Sequence, residues 1–302
     1  MITLLSYFQH MIISMCLLLT GSCTPAYTGT TINLAGATPA DRLIRSMLTI
    51  PAAAEVDFIQ WDLKLYDNHS FVLNIIFGAS QPNTLGFKSN AEKRTAKGTF
   101  TVSESSNFKT IYHLQSGSLP AGISLAKLSE NLFHLLTPQQ QLIPGNGGWS
   151  YSLNRKDIVS KNGILISSAV SDARPLQLVF DGRTPCQEIA AEHPEMNTSS
   201  ACFKLKWRLI LNRDSITLLP TTYIIRKVVD NVVRDSVPGK WTIIKGTAGN
   251  PAAIIYQLDP DKPEESISFL AGDDNVLFFL NKKNEPYIGN EHHSYTMNRK
   301  FQ

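Results

Sequence analysis

The strongest constraint on the fold is that the chain repeats itself. Residues 32–68 and 178–214 align without gaps at an offset of 146, setting Gly36 on Gly182, Thr38-Pro39 on Thr184-Pro185 and Trp61 on Trp207. The register shifts through variable loops and then recovers. Gly98 to Val102 matches Gly239 to Ile243 at an offset of 141, and from Tyr112 onward the offset is 144. The closing Tyr151-Ser152-Leu153-Asn154-Arg155 falls on Tyr295-Thr296-Met297-Asn298-Arg299. Matches in one order, at nearly one spacing, over two segments of ordinary domain size point to tandem copies of one domain. The copies occupy 31–156 and 175–302, joined by 157–174.

Within each copy the apolar residues recur with the period of a half-buried strand. Phe58–Tyr66 sets Trp61, Leu63 and Leu65 on one face and Asp62 and Lys64 on the other. Its counterpart sets Phe203, Leu205, Trp207, Leu209 and Leu211 inward, with Lys204, Lys206 and Arg208 outward. Further segments, such as 70–76, 99–103, 110–115 and 132–136, are bounded by turn residues. About eight strands with short links predict an antiparallel barrel, because closure removes exposed strand edges. Trp61, Phe100, Trp207 and Trp241 are expected in the barrel cores. One short helix per copy is expected over 41–47 and 187–193, with Thr38 and Thr184 as N-caps and Pro39 and Pro185 in the first helical position. The joining segment reads as turn-like at 160–163, then β-branched and apolar at 164–166, so it is expected to add a short strand.

The N-terminus reads as an export signal. Residues 1–22 carry no Lys, Arg, Asp or Glu, and 12–19 form a mostly apolar run too short to span a bilayer. Thr20-Gly21-Ser22 leads into Cys23, a pattern like a bacterial lipobox. Residues 1–22 are therefore expected to be a signal peptide, Cys23 the lipidated residue and 23–30 a tether. The alternative is a plain secretory signal with Cys23 as an ordinary thiol. Cys16 belongs to the signal. The remaining two, Cys186 and Cys202, fall on Ala40 and Val56, so copy 2 has both thiols and copy 1 neither. Paired presence and absence predicts a disulfide, which an exported protein permits. A Cys-based copper or redox site and two buried free thiols are the other readings.

No catalytic constellation emerges. There is no Gly-x-Ser-x-Gly elbow, dinucleotide fingerprint or P-loop. His113 and His134 fall on Gln257 and Phe278, so neither histidine is kept in both copies. His292-His293 beside Glu291 reads as an exposed hairpin end, since adjacent strand residues face opposite ways. Asp273-Asp274-Asn275 reads as a β-turn. A net charge of +3, spread along the chain, excludes a nucleic-acid interface from the expectation. No enzyme activity, metal or cofactor is expected.

Copy 2 resembles the N-terminal domain of the NlpE family, outer-membrane lipoproteins of copper resistance and envelope stress. The resemblance rests on Gly182-Arg183-Thr184-Pro185-Cys186, the Trp207-Arg208-Leu209 strand, Pro220-Thr221-Thr222-Tyr223, Gly239-Lys240-Trp241 and the closing Tyr295-Thr296-Met297-Asn298-Arg299. It implies a lipocalin-like barrel on a lipid anchor, at the outer membrane and facing the periplasm. Cys186 is followed by Gln187-Glu188-Ile189, so the family's Cys-x-x-Cys is incomplete and no copper site is implied. The first functional expectation is a non-enzymatic envelope lipoprotein acting in envelope homeostasis or stress sensing through contact with another envelope protein. A carrier of a small apolar ligand is the second, to be distinguished by an apolar cavity of ~300 Å3 or more. A hydrolase inhibitor is the third, with 137–148 as the loop that would plug an active site.

Overall fold

A computed structural model describes residues 31–301 apart from 197, 230–231, 236–237 and 248. The signal segment, Cys16, Cys23 and the tether lie outside the described residues. The fold is all-β, with two closed antiparallel barrels. Barrel 1 runs through β1 (Thr31–Pro39), helix α1 (Arg42–Met47), β2 (Phe58–Tyr66), β3 (Ser70–Gly78), β4 (Glu92–Ser103), β5 (Ile111–Ser116), β6 (Leu119–Lys127), β7 (Leu132–Leu136) and β8 (Ser152–Arg155). Each strand pairs with the next, and β8 returns to β1. Barrel 2 runs through β9 (Gln177–Thr184), helix α2 (Gln187–Glu192), β10 (Leu205–Arg213), β11 (Pro220–Val229), β12 (Val232–Asp235), β13 (Gly239–Lys245), β14 (Ile254–Leu258), β15 (Ser268–Ala271), β16 (Val276–Leu280) and β17 (Thr296–Arg299), which returns to β9. β12 and β13 both pair with β11 and together take the place of β4. Pro238 lies between them and has no N–H to give a ladder, so the strand breaks there.

Equivalent residues do the same work in both barrels. The Trp61 indole donates to Thr38 Oγ1 at 2.9 Å, and the Trp207 indole donates to Thr184 Oγ1 at 2.9 Å. Each tryptophan sits opposite a glycine, Gly36 or Gly182. A Cβ on either glycine would fall 2.6 or 2.7 Å from a carbonyl oxygen of the closing strand, so only glycine lets the barrels close there. The threonines are thus spent on tryptophans and do not cap the helices as expected. A buried indole N–H needs an acceptor, and β1 continues to pair through Pro39. Asp41 caps α1 instead, accepting from the Ile44 amide at 3.0 Å. Phe203 also departs from expectation: it lies before β10 and is 39% exposed.

The two barrels pack through one shared face, and the residues that meet there are each other's equivalents. Ser150 Oγ touches Ser294 Oγ at 2.5 Å and Ser152 Oγ touches Thr296 Oγ1 at 3.0 Å, both pairs 144 residues apart. His134 meets the ring of Phe278 edge-on at 5.6 Å. The polar contacts are reciprocal: Asn298 Oδ1 accepts from the Gly145 amide, and Asn154 Oδ1 accepts from the Gly289 amide. Residue i on j together with j on i is the signature of a two-fold interface. Around it lies a third apolar cluster, built from pairs such as Ile111 with Ile255, Ala126 with Leu270, Leu132 with Val276 and Leu136 with Leu280. β7 and β16 are therefore buried on both faces, inward in their own barrel and outward against the other, and every residue of both is buried. That is why Leu-Phe-His-Leu-Leu and Val-Leu-Phe-Phe-Leu show no alternation.

The joining segment is clamped into this seam. Ile164 and Ile166 belong to the shared cluster, and single bridges link Ile166 to Phe108 and Ala169 to Asp273 in place of a regular strand. Asn162 is held by Ser129 of barrel 1 and donates to the Pro286 carbonyl of barrel 2 at 2.7 Å.

His134 makes the seam pH-sensitive. The Ile143 carbonyl can only accept, so His134 Nε2 carries the proton at 2.9 Å and Nδ1 accepts from the Ser152 hydroxyl at 3.0 Å. Burial pushes the imidazole down to about 4. The unfolded chain, near 6.5, takes up the proton first as pH falls. The stability that a neutral His134 permits is complete above about 6.5 and is lost on descending to about 4, a change of about 3 kcal/mol. Denaturant titrations at pH 7 and pH 4 are expected to differ by this amount more in the wild type than in His134→Gln. Equal differences in the two proteins would contradict the assignment.

Candidate functional site

The four expected core aromatics are all buried, Trp61 and Phe100 in the core of barrel 1 and Trp207 and Trp241 in that of barrel 2. Cys186 and Cys202 form the disulfide, with Cα atoms 6.0 Å apart. It ties the start of α2 to the segment leading into β10, three residues before that strand begins. Barrel 1 holds the same two places by other means. Arg45 Nε donates to the Ala40 carbonyl at 2.7 Å and Nη2 to the Val56 carbonyl at 2.6 Å, while Nη1 reaches the Pro51, Ala52 and Ala54 carbonyls. Ala40 and Val56 are the counterparts of the two cysteines. One guanidinium thus closes in barrel 1 the loop that sulfur closes in barrel 2.

The ends of the barrels distinguish the copies. At the end away from α1, barrel 1 is shut by His69 stacked on Phe100 at 5.3 Å, followed inward by Tyr112 and Phe133. At its α1 end there is a gap of about 90 Å3 between Leu73, Ile75, Ala96 and Leu119. Barrel 2 differs. At the end away from α2, a cleft of about 560 Å3 opens among Leu178, the β10–β11 hairpin, Ile243, Ile254 and Tyr256, with residues 170–175 along one side. Val170, Ile243 and Ile254 extend its apolar wall from the core.

Arg174, Arg213 and Lys245 line this cleft together with Asp172 and Asp274. Arg213, the last residue of β10, lies with its guanidinium carbon 5.0 Å from the Trp241 ring centre and gives Nη1 to the Leu218 carbonyl. Its Nε is buried without a hydrogen-bond partner among the described residues. Burial holds this guanidinium below its ordinary value, with Tyr256 and Asp274 opposing and Arg174 adding to the effect. Burial also raises the Tyr256 hydroxyl. Asp274 accepts from the Ser171 amide through both oxygens, pinning the side segment to the β15–β16 turn. In the same turn Asp273 Oδ1 accepts from the Asn275 and Val276 amides, the turn geometry expected there. Burial pushes the Asp273 carboxyl up to about 6. An apolar wall beside a half-buried cation, whose Nε has no hydrogen-bond partner among the described residues, can hold an amphiphile, apolar at one end and anionic at the other.

Two expectations change on the structure. His292-His293 is not an exposed hairpin end, because barrel 1 covers it. His292 Nδ1 lies 3.1 Å from Gln60 Nε2, and His293 is 6% exposed. The 137–148 loop does not project. Leu142 and Ile143 are buried, and Gly145 is bound by Asn298. Among the described residues no group of three or more His, Cys, Asp or Glu could hold a metal ion, and no helix is long and apolar enough to cross a membrane. No protein-family model matches the chain, and neither a curated protein nor a solved structure is significantly similar to it.

Proposed function

We propose that the protein is a non-catalytic, lipid-anchored envelope protein of the NlpE-like kind that binds a small amphiphile in the mouth of barrel 2. The observation that carries this reading is the cleft of about 560 Å3 with Leu178, Ile243 and Ile254 on its walls and, within it, Arg213 Nε, which has no hydrogen-bond partner among the described residues. Its volume exceeds the ~300 Å3 at which a barrel mouth becomes a ligand site. Export and anchoring rest on the apolar run of 12–19 and on Cys23. Contact with another envelope protein is a second reading, favoured by Ile216, 89% exposed, and by Leu219, both on the β10–β11 hairpin beside the cleft.

The test is displacement of a fluorescent fatty-acid probe from the full-length protein. The wild type is expected to bind one probe per chain. Arg213→Gln is expected to weaken binding roughly 10- to 100-fold, the loss of one charge-assisted hydrogen bond. Ile254→Trp is expected to abolish it by filling the cleft. No binding, or binding indifferent to both substitutions, would overturn the reading.

A further inference from the structure

Beside the seam a second cleft, of about 330 Å3, opens between the barrels. Barrel 2 contributes Arg183, Lys204, Lys206, His292 and His293; barrel 1 contributes Phe58, Trp149 and the loop 80–86. None of the residues lining it is acidic. Arg183 and Lys206 sit directly opposite each other on β9 and β10. Like charges in that relation repel, and among the described residues no ion pair is formed by Arg183, Lys204 or Lys206. The nearest carboxylate on β9, Asp181, is taken by Arg208 at 2.7 and 2.8 Å.

Two further features make this more than a basic patch. The Arg183 guanidinium rests 5.8 Å from the Trp149 ring, which stacks on Phe58 at 4.9 Å, which stacks on Phe87 at 4.1 Å. An aromatic column from barrel 1 thus sets the position of a cation from barrel 2. His293 is more than nine-tenths buried, yet neither ring nitrogen has a partner among the described residues. Buried polar groups are ordinarily satisfied, as His134 is on both sides of its ring. Burial, with Arg183, Lys204 and His292 adding to it, pushes the His293 imidazole down to about 3. The cleft therefore holds a neutral donor-acceptor among cations.

We propose that this cleft is a binding site for a phosphate group, carried by a small molecule or by a lipid headgroup, and independent of the site in the mouth of barrel 2. Three cations without an ion pair among the described residues suit a dianion, which accepts several charge-assisted hydrogen bonds at once. The cleft, walled by both barrels, has a volume that suits a small group. Arg183 and His293 offer directed N–H donors, while Lys204 and Lys206 supply charge.

The experiment is calorimetric titration of the full-length protein with inorganic phosphate and, separately, with dihexanoyl phosphatidic acid kept monomeric. Nitrogen NMR of the histidine rings is recorded alongside. Phosphate is expected to bind once per chain and to shift the His293 ring signals. The double variant Lys204→Gln, Lys206→Gln is expected to lose at least tenfold in affinity with an unchanged near-ultraviolet spectrum. His293→Gln, which keeps one donor and one acceptor, is expected to retain most of it. Binding of both compounds supports the site and admits a lipid headgroup; binding of phosphate alone supports it for soluble phosphate esters. Failure of both compounds to bind, or binding that the double lysine variant leaves unchanged, overturns the proposal.

Discussion

Arg45→Ala is expected to destabilise barrel 1 by about 3 kcal/mol, and a disulfide moved from barrel 2 is expected to restore most of it. The guanidinium donates to five carbonyls between Ala40 and Val56. Charge-assisted bonds contribute about 1.5–3 kcal/mol each at buried positions and less where exposed, and bonds from one group do not add. The bonds to Ala40, Ala54 and Val56 are partly buried and those to Pro51 and Ala52 are exposed. Removing the side chain frees a loop whose only helix is six residues long. In barrel 2 the same loop is closed by Cys186 and Cys202, sixteen residues apart, a closure worth on the order of 3 kcal/mol. The triple variant Arg45→Ala, Ala40→Cys, Val56→Cys should therefore recover under oxidising conditions and fail under reducing ones. Denaturant unfolding followed at Trp61, with the other tryptophans replaced by phenylalanine, measures both steps. An Arg45→Ala protein as stable as its parent would show that the guanidinium merely decorates the loop.

The second large effect is expected at the seam. Ser150 and Ser294 are buried, with hydroxyl oxygens 2.5 Å apart. Cysteines in their places would close a loop of 144 residues. Loops of that length give on the order of 4–5 kcal/mol when the native geometry accepts the bond. The oxidised double variant is expected to gain about that much over its reduced form and to unfold in one transition. The gain measures how firmly the barrels already hold each other: a seam that opened readily would leave one barrel unfolding without the other.

Much of this architecture was legible in the residues, because a barrel strand writes its own period. Trp61 with Leu63 and Leu65, and Trp207 with Leu209 and Leu211, alternate with polar residues and lie in the cores as read. The cysteine pair was legible because two thiols appear together in one copy and vanish together from the other. Arg45 carried the complementary signal, standing where copy 2 has Ala191, but a lone arginine near a helix end has many ordinary explanations. The seam left a fainter mark. Two continuous apolar strands at equivalent places, β7 and β16, point to a second buried face, yet the same run also fits a strand in the middle of any sheet. The clefts were not legible. Lys204 and Lys206 read as outward residues of one strand and Arg183 as part of a separate segment, and only the pairing of β9 with β10 sets Arg183 opposite Lys206. His293 reads as exposed until barrel 1 is laid over it.

The most direct test of the paired-barrel account is the covalent one. The Ser150→Cys, Ser294→Cys protein is oxidised in dilute solution, digested without reduction, and its peptides are weighed. A single peptide carrying residue 150 joined to residue 294 of the same chain, beside the native 186–202 pair, is the predicted result. Free thiols at both positions, or links found only between separate chains, would show that equivalent residues of the two copies do not meet, and the two-fold seam would be lost with them.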